Sequence, residues 1–292
     1  MQSIVYERPA TVEAAVRLLG SDGARALAGG TDLIPQLREG RRAAQRIVDL
    51  KHVAEMTDIA RTSDGGWRIG ASVSVARMAA HIDLAADQPG LIASARLIGS
   101  LQIQSRASLG GNLANGAPSA DAVPLLISLG AMAEIAGPDG RRTVPVESLP
   151  AGPGRTNLHP GSLLVALLLP SRPPLSGAMY LRFKPRREMD IAIAGAGVAL
   201  SLAETGAIAT ARITLASVAP MPLRAAKAEV RLIGAHATAD IAAEAGRIAA
   251  SEATPISDTR GSADYRRELV AVLVRRAIEG CLAEIETARG QA

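Results

Sequence analysis

The segment Ser108-Leu109-Gly110-Gly111-Asn112-Leu113-Ala114-Asn115-Gly116-Ala117-Pro118-Ser119-Ala120-Asp121 is the one around which the chain is organised. Its fourteen positions hold three glycines, two asparagines, two serines, a proline and an aspartate, and apolar segments flank it on both sides. Glycine allows backbone N–H groups to approach a ligand that no side chain could lie beside. The hydroxyl and amide side chains can satisfy ligand oxygens, and Asp121 offers a fixed carboxylate. The composition therefore predicts a loop that forms half of a ligand cradle.

A second glycine pair lies near the N-terminus, in Ala28-Gly29-Gly30-Thr31-Asp32. A single Gly-Gly pair more often indicates a tight turn, because glycine is the default turn residue. Two pairs with matching Ser or Thr and Asp or Asn neighbours favour a shared ligand instead. The N-terminal pair lies between a predicted strand at 24–28 and a short helix at 32–38 interrupted by Pro35. This arrangement favours phosphate binding, because free N–H groups and the helix dipole at a helix N-terminus both attract an anion. Loops this far apart suit a long dinucleotide such as FAD, held between two subdomains.

The composition argues against several classes of site. Aromatic residues are only 2% of the chain, which counts against nucleic-acid binding through stacking, and the net charge of +4 comes from scattered basic residues. Cys281 is the one cysteine, so the chain has neither an intrachain disulfide nor a cysteine-ligated iron–sulfur cluster. The four histidines are isolated and lack metal-ligand spacing. We expect no metal site and no catalytic acid or base, so any redox chemistry would come from an organic cofactor.

Competing nucleotide-binding motifs are absent or incomplete. Gly195-Ala196-Gly197 supplies part of a Rossmann fingerprint, but Leu200 occupies the third glycine position and a strand pattern continues past it. Small residues at a close strand–strand contact explain this run better. The longest apolar runs, 163–169 and 191–202, are too short to span a bilayer, and the N-terminus lacks the apolar core of a secretory signal. We expect a cytoplasmic protein with no membrane span and no bound nucleic acid.

The residue patterns predict an α+β protein built from three parts. Residues 1–55 indicate a small α/β unit, with Thr11 capping a helix that ends at Gly20. Residues 56–175 indicate a second unit that includes a hairpin at Pro138-Asp139-Gly140. A linker is predicted at 172–177. The remaining residues, 176–292, indicate three antiparallel strands followed by three helices. The strands are predicted over 180–185, 191–202 and 207–218, and the helices over 225–232, 239–250 and 263–287.

Several short blocks together resemble the FAD-binding subunit of the molybdenum hydroxylases. This is the family of the carbon monoxide dehydrogenase medium subunit and the flavin domain of xanthine dehydrogenase. The two glycine segments at their relative positions are the more specific part of the resemblance. The blocks cover nearly the whole chain: Ala28-Gly29-Gly30-Thr31-Asp32-Leu33, Ile69-Gly70-Ala71, Gln102-Ile103, Ser108-Leu109-Gly110-Gly111-Asn112, Ala117-Pro118-Ser119-Ala120-Asp121, Tyr180-Leu181-Arg182-Phe183-Lys184, Asp190-Ile191-Ala192, Pro222-Leu223-Arg224 and Ser262-Ala263-Asp264-Tyr265-Arg266-Arg267.

The resemblance implies a fold and a function. The fold would be the two-subdomain FAD-binding fold of the vanillyl-alcohol oxidase and cresol methylhydroxylase type (1–55 and 56–175), followed by a C-terminal α+β domain with three antiparallel strands and helices (176–292). The function would be that of an oxidoreductase subunit, taking electrons from an iron–sulfur subunit and passing them to an external acceptor. Its partners would be a molybdopterin-containing large subunit and a [2Fe–2S] small subunit, in a dimer of heterotrimers. A cofactor-free assembly subunit with the same fold is the alternative.

The resemblance also implies the residues that contact FAD. One group would wrap the diphosphate, namely Ala28, Gly29, Gly30, Thr31 and Asp32. A second group would form the loop against it, namely Ser108, Gly111 and Asn112. Leu33 and Gly110, within the same two segments, would also bind the cofactor. Asp121 would bond to ribityl or ribose hydroxyls. Ile98 and Gly99 would approach the flavin, and Lys184 would lie near the isoalloxazine ring.

The chain departs from the family pattern mildly. Gln104-Ser105 stands where many members have Arg-Asn, and Ala107-Ser108-Leu109 stands where many have Gly-Thr-Ile. Ser108 keeps the hydroxyl, and both glycines of the second pair remain. Some members carry an inserted four-cysteine iron–sulfur site, which this chain cannot form with Cys281 alone.

Overall fold

The first sheet is parallel and small. In the computed structural model, which describes residues 4–186 and 190–290, its strands lie in the order β1-β3-β2. Helix α1 begins and ends as the sequence predicts, since the Thr11 hydroxyl accepts a hydrogen bond from Ala14 N (3.2 Å) and Gly20 forms the C-cap. Helix α2 is continuous through Pro35, contrary to the expected interruption, because proline in the first turn removes no helical hydrogen bond. The elements are β1 (Val5–Glu7), α1 (Val12–Leu19), β2 (Ala24–Leu27), α2 (Leu33–Arg38) and β3 (Arg46–Asp49).

The second sheet is antiparallel, with five strands in the order β4-β5-β8-β6-β7. The predicted hairpin is confirmed, with Gly137 paired to Gly140 across its turn. Its central strand, β8, is formed by the apolar run 163–169, which is too short to span a bilayer. The elements are β4 (Ile59–Arg61), β5 (Trp67–Gly70), α3 (Val75–Ala80), α4 (Ile82–Asp87), α5 (Pro89–Ala95), α6 (Leu101–Gln104), α7 (Leu109–Ala114), α8 (Val123–Ser128), β6 (Met132–Gly137), β7 (Gly140–Pro145) and β8 (Leu163–Leu169).

The expectation of a continuous loop at 108–121 is wrong for its first half, which forms helix α7. Ser108 caps this helix by accepting a hydrogen bond from Gly111 N (3.0 Å). A Cβ at Gly110 would overlap the backbone of Ala71, so this glycine permits close packing of the helix. Two glycines cost a helix about 1 kcal/mol each relative to alanine. Tertiary packing and the serine cap therefore override the local preference.

The third sheet is antiparallel and has four strands, β12-β11-β10-β9, where the sequence predicts three. The extra strand β12 has only two residues, too few to produce a visible alternation. The need for glycine at position 197 comes from a contact between strand β10 and helix α8 and not from the expected strand–strand contact. A Cβ added at Gly197 would lie 2.8 Å from the Pro124 backbone. The elements are β9 (Ser176–Phe183), β10 (Ala194–Leu202), β11 (Ile208–Ala216), β12 (Leu223–Arg224), α9 (Ala226–Leu232), α10 (Ala239–Glu252) and α11 (Ala263–Arg289).

Close packing joins the second and third parts of the fold. Helices α5 and α8 lie against the third sheet. A Cβ at Gly90, in α5, would overlap the carbonyl oxygen of Ala178, in β9. The backbones of the helix and the strand are therefore in direct contact, which fixes the third sheet against the residues around Ile98.

Candidate functional site

A cavity of about 740 Å³ opens between the first and second sheets. This volume lies in the ordinary range for small-molecule and cofactor sites. Residues from both glycine segments form its walls, as does one residue of the predicted flavin-contacting turn. The predicted site residues that line it are Ala28, Gly29, Gly30, Thr31, Asp32, Leu33, Ile98, Ser108, Gly110, Gly111 and Asn112.

The two glycine segments meet beside this cavity. A Cβ at Gly29 would overlap the carbonyl oxygen of Arg106, so only glycine allows the two backbones to approach this closely. Arg106 Nε also donates a hydrogen bond to Gly29 O (3.0 Å). Segments almost eighty positions apart in sequence thus form neighbouring walls of one site.

Gly111 has no comparable packing requirement. Its backbone is helical, and a Cβ there would meet only Ser108 Oγ, at 3.1 Å. The residue lines the cavity. A group that contacts the backbone from inside the cavity would account for glycine here, because a side chain would occupy that place. This open backbone fits a large cofactor held close to α7.

Backbone donors are available at the first glycine segment. Within residues 4–186 and 190–290, the N–H groups of Gly29 and Gly30 donate no hydrogen bond to the protein. Successive free N–H groups form a site for an anionic oxygen. These donors fit the diphosphate of a dinucleotide.

Asp32 brings a carboxylate to the cavity wall. Burial raises the pKa of Asp32, and the positive charges of Arg41 and Arg42 oppose that shift. The side chain does not cap helix α2. Because a carboxylate accepts hydrogen bonds and repels phosphate, Asp32 suits a ligand hydroxyl better than a phosphate oxygen.

Asp121 lies outside the cavity lining and is bound by residues of β9. Its carboxylate forms an ion pair with Arg182 and accepts a hydrogen bond from Tyr180 OH at 3.3 Å. Burial raises the pKa of Asp121, while the positive charges of Arg182 and Lys184 oppose the shift. Burial also raises the pKa of Tyr180. In this structure Asp121 ties the end of the second glycine segment to the third sheet, and its contact with ligand hydroxyls stays a prediction.

Side chains hold the turn that contains Ile98. Gln104 Nε2 donates to the carbonyls of Arg96 (2.7 Å) and Ile98 (3.2 Å), and Arg182 Nη2 donates to the carbonyl between them, that of Leu97 (3.0 Å). Gly99 follows with a φ of 58°, a conformation that favours glycine. Three consecutive carbonyls are therefore fixed, and with them the cavity-facing Ile98.

Gly99 and Lys184 do not line the cavity. Gly99 forms the turn that follows Ile98. Lys184 follows β9, near enough to Asp121 for its charge to lower the pKa of that carboxyl. Their contacts with a flavin stay predictions.

Sequence reasoning missed the roles of Gln104, Tyr180 and Arg182. Tyr180 and Arg182 are two positions apart in a strand, so they share a face of the sheet, which is a signal available in the sequence. Their partners Leu97 and Asp121 could not be identified from that alternation. Gln104 was visible only as a departure from the family pattern.

Other potential sites are few in the described ranges. Residues 4–186 and 190–290 contain no group of three or more His, Cys, Asp or Glu side chains arranged to hold a metal ion. They also contain no helix with the length and hydropathy needed to cross a bilayer. Cys281 is fully buried, and burial raises the pKa of its thiol, which makes it unreactive.

Comparison with known proteins gives matches over almost the entire chain. Residues 2–172 match the family model for the FAD binding domain in molybdopterin dehydrogenase. Residues 179–281 match the model for the CO dehydrogenase flavoprotein C-terminal domain.

Individual relatives and structures agree with these matches. The chain is 36% identical to the carbon monoxide dehydrogenase medium chain of Afipia carboxidovorans, over 95% of this chain and 96% of the relative. It is 30% identical to the putative xanthine dehydrogenase FAD-binding subunit of Escherichia coli, with the same coverage of both chains. The crystal structure of a cyanide-inactivated Cu,Mo-CO dehydrogenase contains a similar chain, with a TM-score of 0.91 and 34% identity over 96% of this chain and 98% of that one.

Proposed function

The chain belongs to the family of FAD-binding subunits of molybdopterin dehydrogenases, and we propose that the 740 Å³ cavity binds FAD for electron transfer. The protein is an oxidoreductase component with FAD as its cofactor. The placement of FAD in this cavity is supported above all by Gly111, whose backbone faces the cavity without a packing reason of its own.

The cavity residues would bind and orient the cofactor. Free N–H groups of Gly29 and Gly30 would hold the diphosphate, and the backbone near Gly111 would contact it from α7. The fixed turn at Ile98 would place an apolar side chain against the flavin. Apolar neighbours such as Leu163 would exclude water from the cavity.

FAD supplies the redox chemistry when it is bound, and the protein supplies binding, orientation and electrostatics. No side chain of the cavity needs to act as a proton donor or acceptor for electrons to pass. The chain's own contribution is to fix the flavin at a constant position and in a constant electrostatic environment.

We further propose partners and a direction of electron flow. Electrons would arrive from a [2Fe–2S] small subunit, which receives them from a molybdopterin-containing large subunit, and would leave to an external acceptor. The assembly would be a cytoplasmic dimer of heterotrimers. Support comes from the relative that is a medium chain and matches this chain over nearly its full length. Co-expression with the neighbouring genes, followed by purification and mass measurement, tests this assembly.

Flavin content is the direct test of the cofactor assignment. We expect the purified, assembled protein to be yellow and to release equimolar FAD on denaturation. A matched sample reduced anaerobically should lose its visible flavin absorbance. Colourless, correctly assembled protein that releases no FAD would contradict the proposal and favour the cofactor-free assembly subunit.

A further inference from the structure

Two cationic side chains hold the first glycine segment through consecutive carbonyls. Lys51 Nζ donates to Ala28 O (3.1 Å), and Arg106 Nε donates to Gly29 O (3.0 Å). Lys51 follows strand β3, whereas Arg106 precedes helix α7, so the two contacts come from different parts of the fold. The orientation of two successive peptide groups is therefore fixed.

This orientation also determines where the next N–H groups point. The described peptide bonds are all trans, and in a trans peptide the C=O and the N–H of the following residue point in opposite directions. The N–H of Gly29 is thus directed away from Lys51, and that of Gly30 away from Arg106. In the described ranges neither group has a protein acceptor, and both residues line the cavity.

The side chain of Lys51 and the main chain of Arg106 are themselves held in place. Lys51 forms an ion pair with Asp49, which is 1% exposed and also accepts a hydrogen bond from Tyr6. The backbone of Arg106 packs directly on Gly29, where a Cβ would overlap its carbonyl oxygen. Gly29 is consequently in contact with both the main chain and the side chain of Arg106.

We propose that Lys51 and Arg106 are positioning residues that aim the N–H groups of Gly29 and Gly30 at the diphosphate of the bound dinucleotide. This inference rests on the proposed function, because the diphosphate belongs to FAD. Without the two carbonyl contacts the peptide groups of the glycine segment would be held less firmly, since glycine itself restricts the backbone little. Binding would then have to order the segment first, which weakens affinity.

Arg106→Met tests the proposal against the matched control Arg77→Met. Arg77 also donates from its guanidinium to a backbone carbonyl, that of Thr57, but it does not line the cavity and lies outside both glycine segments. Titration of the apoproteins with FAD, followed by flavin fluorescence, gives the dissociation constants. We expect Arg106→Met to weaken FAD binding about tenfold and Arg77→Met less than about threefold.

Three further measurements separate positioning from a general structural role. Arg106→Lys should bring FAD affinity back to within about threefold of wild type, because lysine can still reach a carbonyl. ADP, which carries the diphosphate without the flavin, should lose the same factor as FAD in Arg106→Met. The melting temperature of the apoprotein should be the same in Arg106→Met and Arg77→Met.

The Lys51 contact is tested by a double variant, Asp49→Asn with Lys51→Met, which avoids leaving a buried carboxylate unpaired. We expect weaker FAD binding than in Asp49→Asn alone, which keeps the ammonium group. Wild-type affinity in both Arg106→Met and this double variant would overturn the inference, and so would equal losses in Arg77→Met and Arg106→Met. Failure of wild-type apoprotein to bind FAD would instead refute the proposed function.

Discussion

Three glycines of the cavity wall are needed for three different reasons. Gly29 allows the first segment to touch the backbone of Arg106. Gly30 has a φ of 78°, which side-chain-bearing residues rarely adopt. Gly111 needs neither close packing nor an unusual backbone, so the cofactor itself is the reason we infer for it. Substitution should therefore have a different consequence at each position.

Gly111→Val should remove FAD while keeping the fold. The added branched side chain would occupy the part of the cavity beside α7, which the protein leaves open. We expect FAD affinity to fall by more than about a hundredfold, and circular dichroism of the apoprotein to match wild type.

Gly20→Val is the matched control for this change. Gly20 also lines the cavity and also has a helical backbone, but it lies outside both glycine segments. Its FAD affinity should remain within about tenfold of wild type. Unchanged FAD occupancy in Gly111→Val would show that the second segment does not contact the cofactor.

Gly29→Ala should behave differently, because the overlap here is with protein backbone. The first segment would have to move away from Arg106, and the apoprotein should lose about 2 kcal/mol or more of unfolding free energy. Urea denaturation of the FAD-free protein measures this loss. A stability equal to wild type would contradict the close packing.

At the scale of secondary-structure elements, strand β9 links the third sheet to the cofactor half of the molecule. Its Tyr180 and Arg182 bind Asp121, and Arg182 also fixes the carbonyl of Leu97, next to Ile98. The strand thus reaches both the end of the second glycine segment and the turn at the cavity wall. We therefore expect substitutions in the third sheet to alter the position of Ile98, and with it FAD binding.

Arg182→Met should destabilise the protein strongly, because it leaves the buried Asp121 carboxylate without its cation. Loss of one partner of a buried ion pair typically costs about 3 to 5 kcal/mol. Arg212→Met, at an ion pair with Glu147 whose side chains are about two-fifths exposed, should cost at most about 1 kcal/mol. Urea unfolding of both variants checks the difference. Adding Asp121→Asn to Arg182→Met should recover part of the loss, and no recovery would contradict the buried-charge explanation.

A second link joins helix α1 to the second sheet through Arg141. This guanidinium forms ion pairs with Glu13 of α1, Glu55 and Glu134. Hydrogen bonding to Arg141 lowers the pKa of both Glu13 and Glu55. Carboxyls with a lowered pKa in the folded state stabilise it above their unfolded pKa, and this stabilisation is lost as pH falls through the folded value.

The urea midpoint should therefore fall as the pH decreases below about 4.3, the usual pKa of glutamate. In Arg141→Met this acid dependence should be shallower, because the pKa values of Glu13 and Glu55 would return towards normal. Arg275→Met removes a single helix pair at 3.7 Å and serves as the control, with a wild-type profile. An unchanged acid dependence in Arg141→Met would contradict the assignment.

For the molecule as a whole, the cavity proposed for FAD is a gap between the first and second sheets, and each of these two parts of the fold contributes one glycine segment to its wall. A ligand that fills such a gap contacts both parts and binds only when they are assembled. FAD should accordingly stabilise the fold by mass action.

Addition of FAD to the apoprotein should raise the melting temperature progressively with FAD concentration. At a free concentration about a hundred times the dissociation constant, the expected stabilisation is about 2.7 kcal/mol. Differential scanning calorimetry measures it, and Gly111→Val should show little response at the same concentrations. A wild-type melting temperature independent of FAD would contradict binding to the folded state.

Local features and the family were readable from the amino-acid sequence alone. Thr11 caps a helix at the predicted place, and the hairpin at Gly140 forms, because caps and tight turns depend on residues a few positions apart. The paired glycine segments already suited an anionic dinucleotide, and the family resemblance that they carry identified it as FAD. Caps and turns can be predicted because their interactions are short in sequence, and the glycine segments because each keeps its residue types in one short block.

The roles of the remaining residues depend on how the folded chain packs. It turned half of the predicted glycine loop into helix α7, because Gly110 packs against Ala71. It assigned Asp121 to Arg182, and it gave Lys51 and Arg106 their carbonyl partners. The physical reason is the same in each case. These contacts join residues far apart in the chain, and their geometry exists only once the three sheets have packed together.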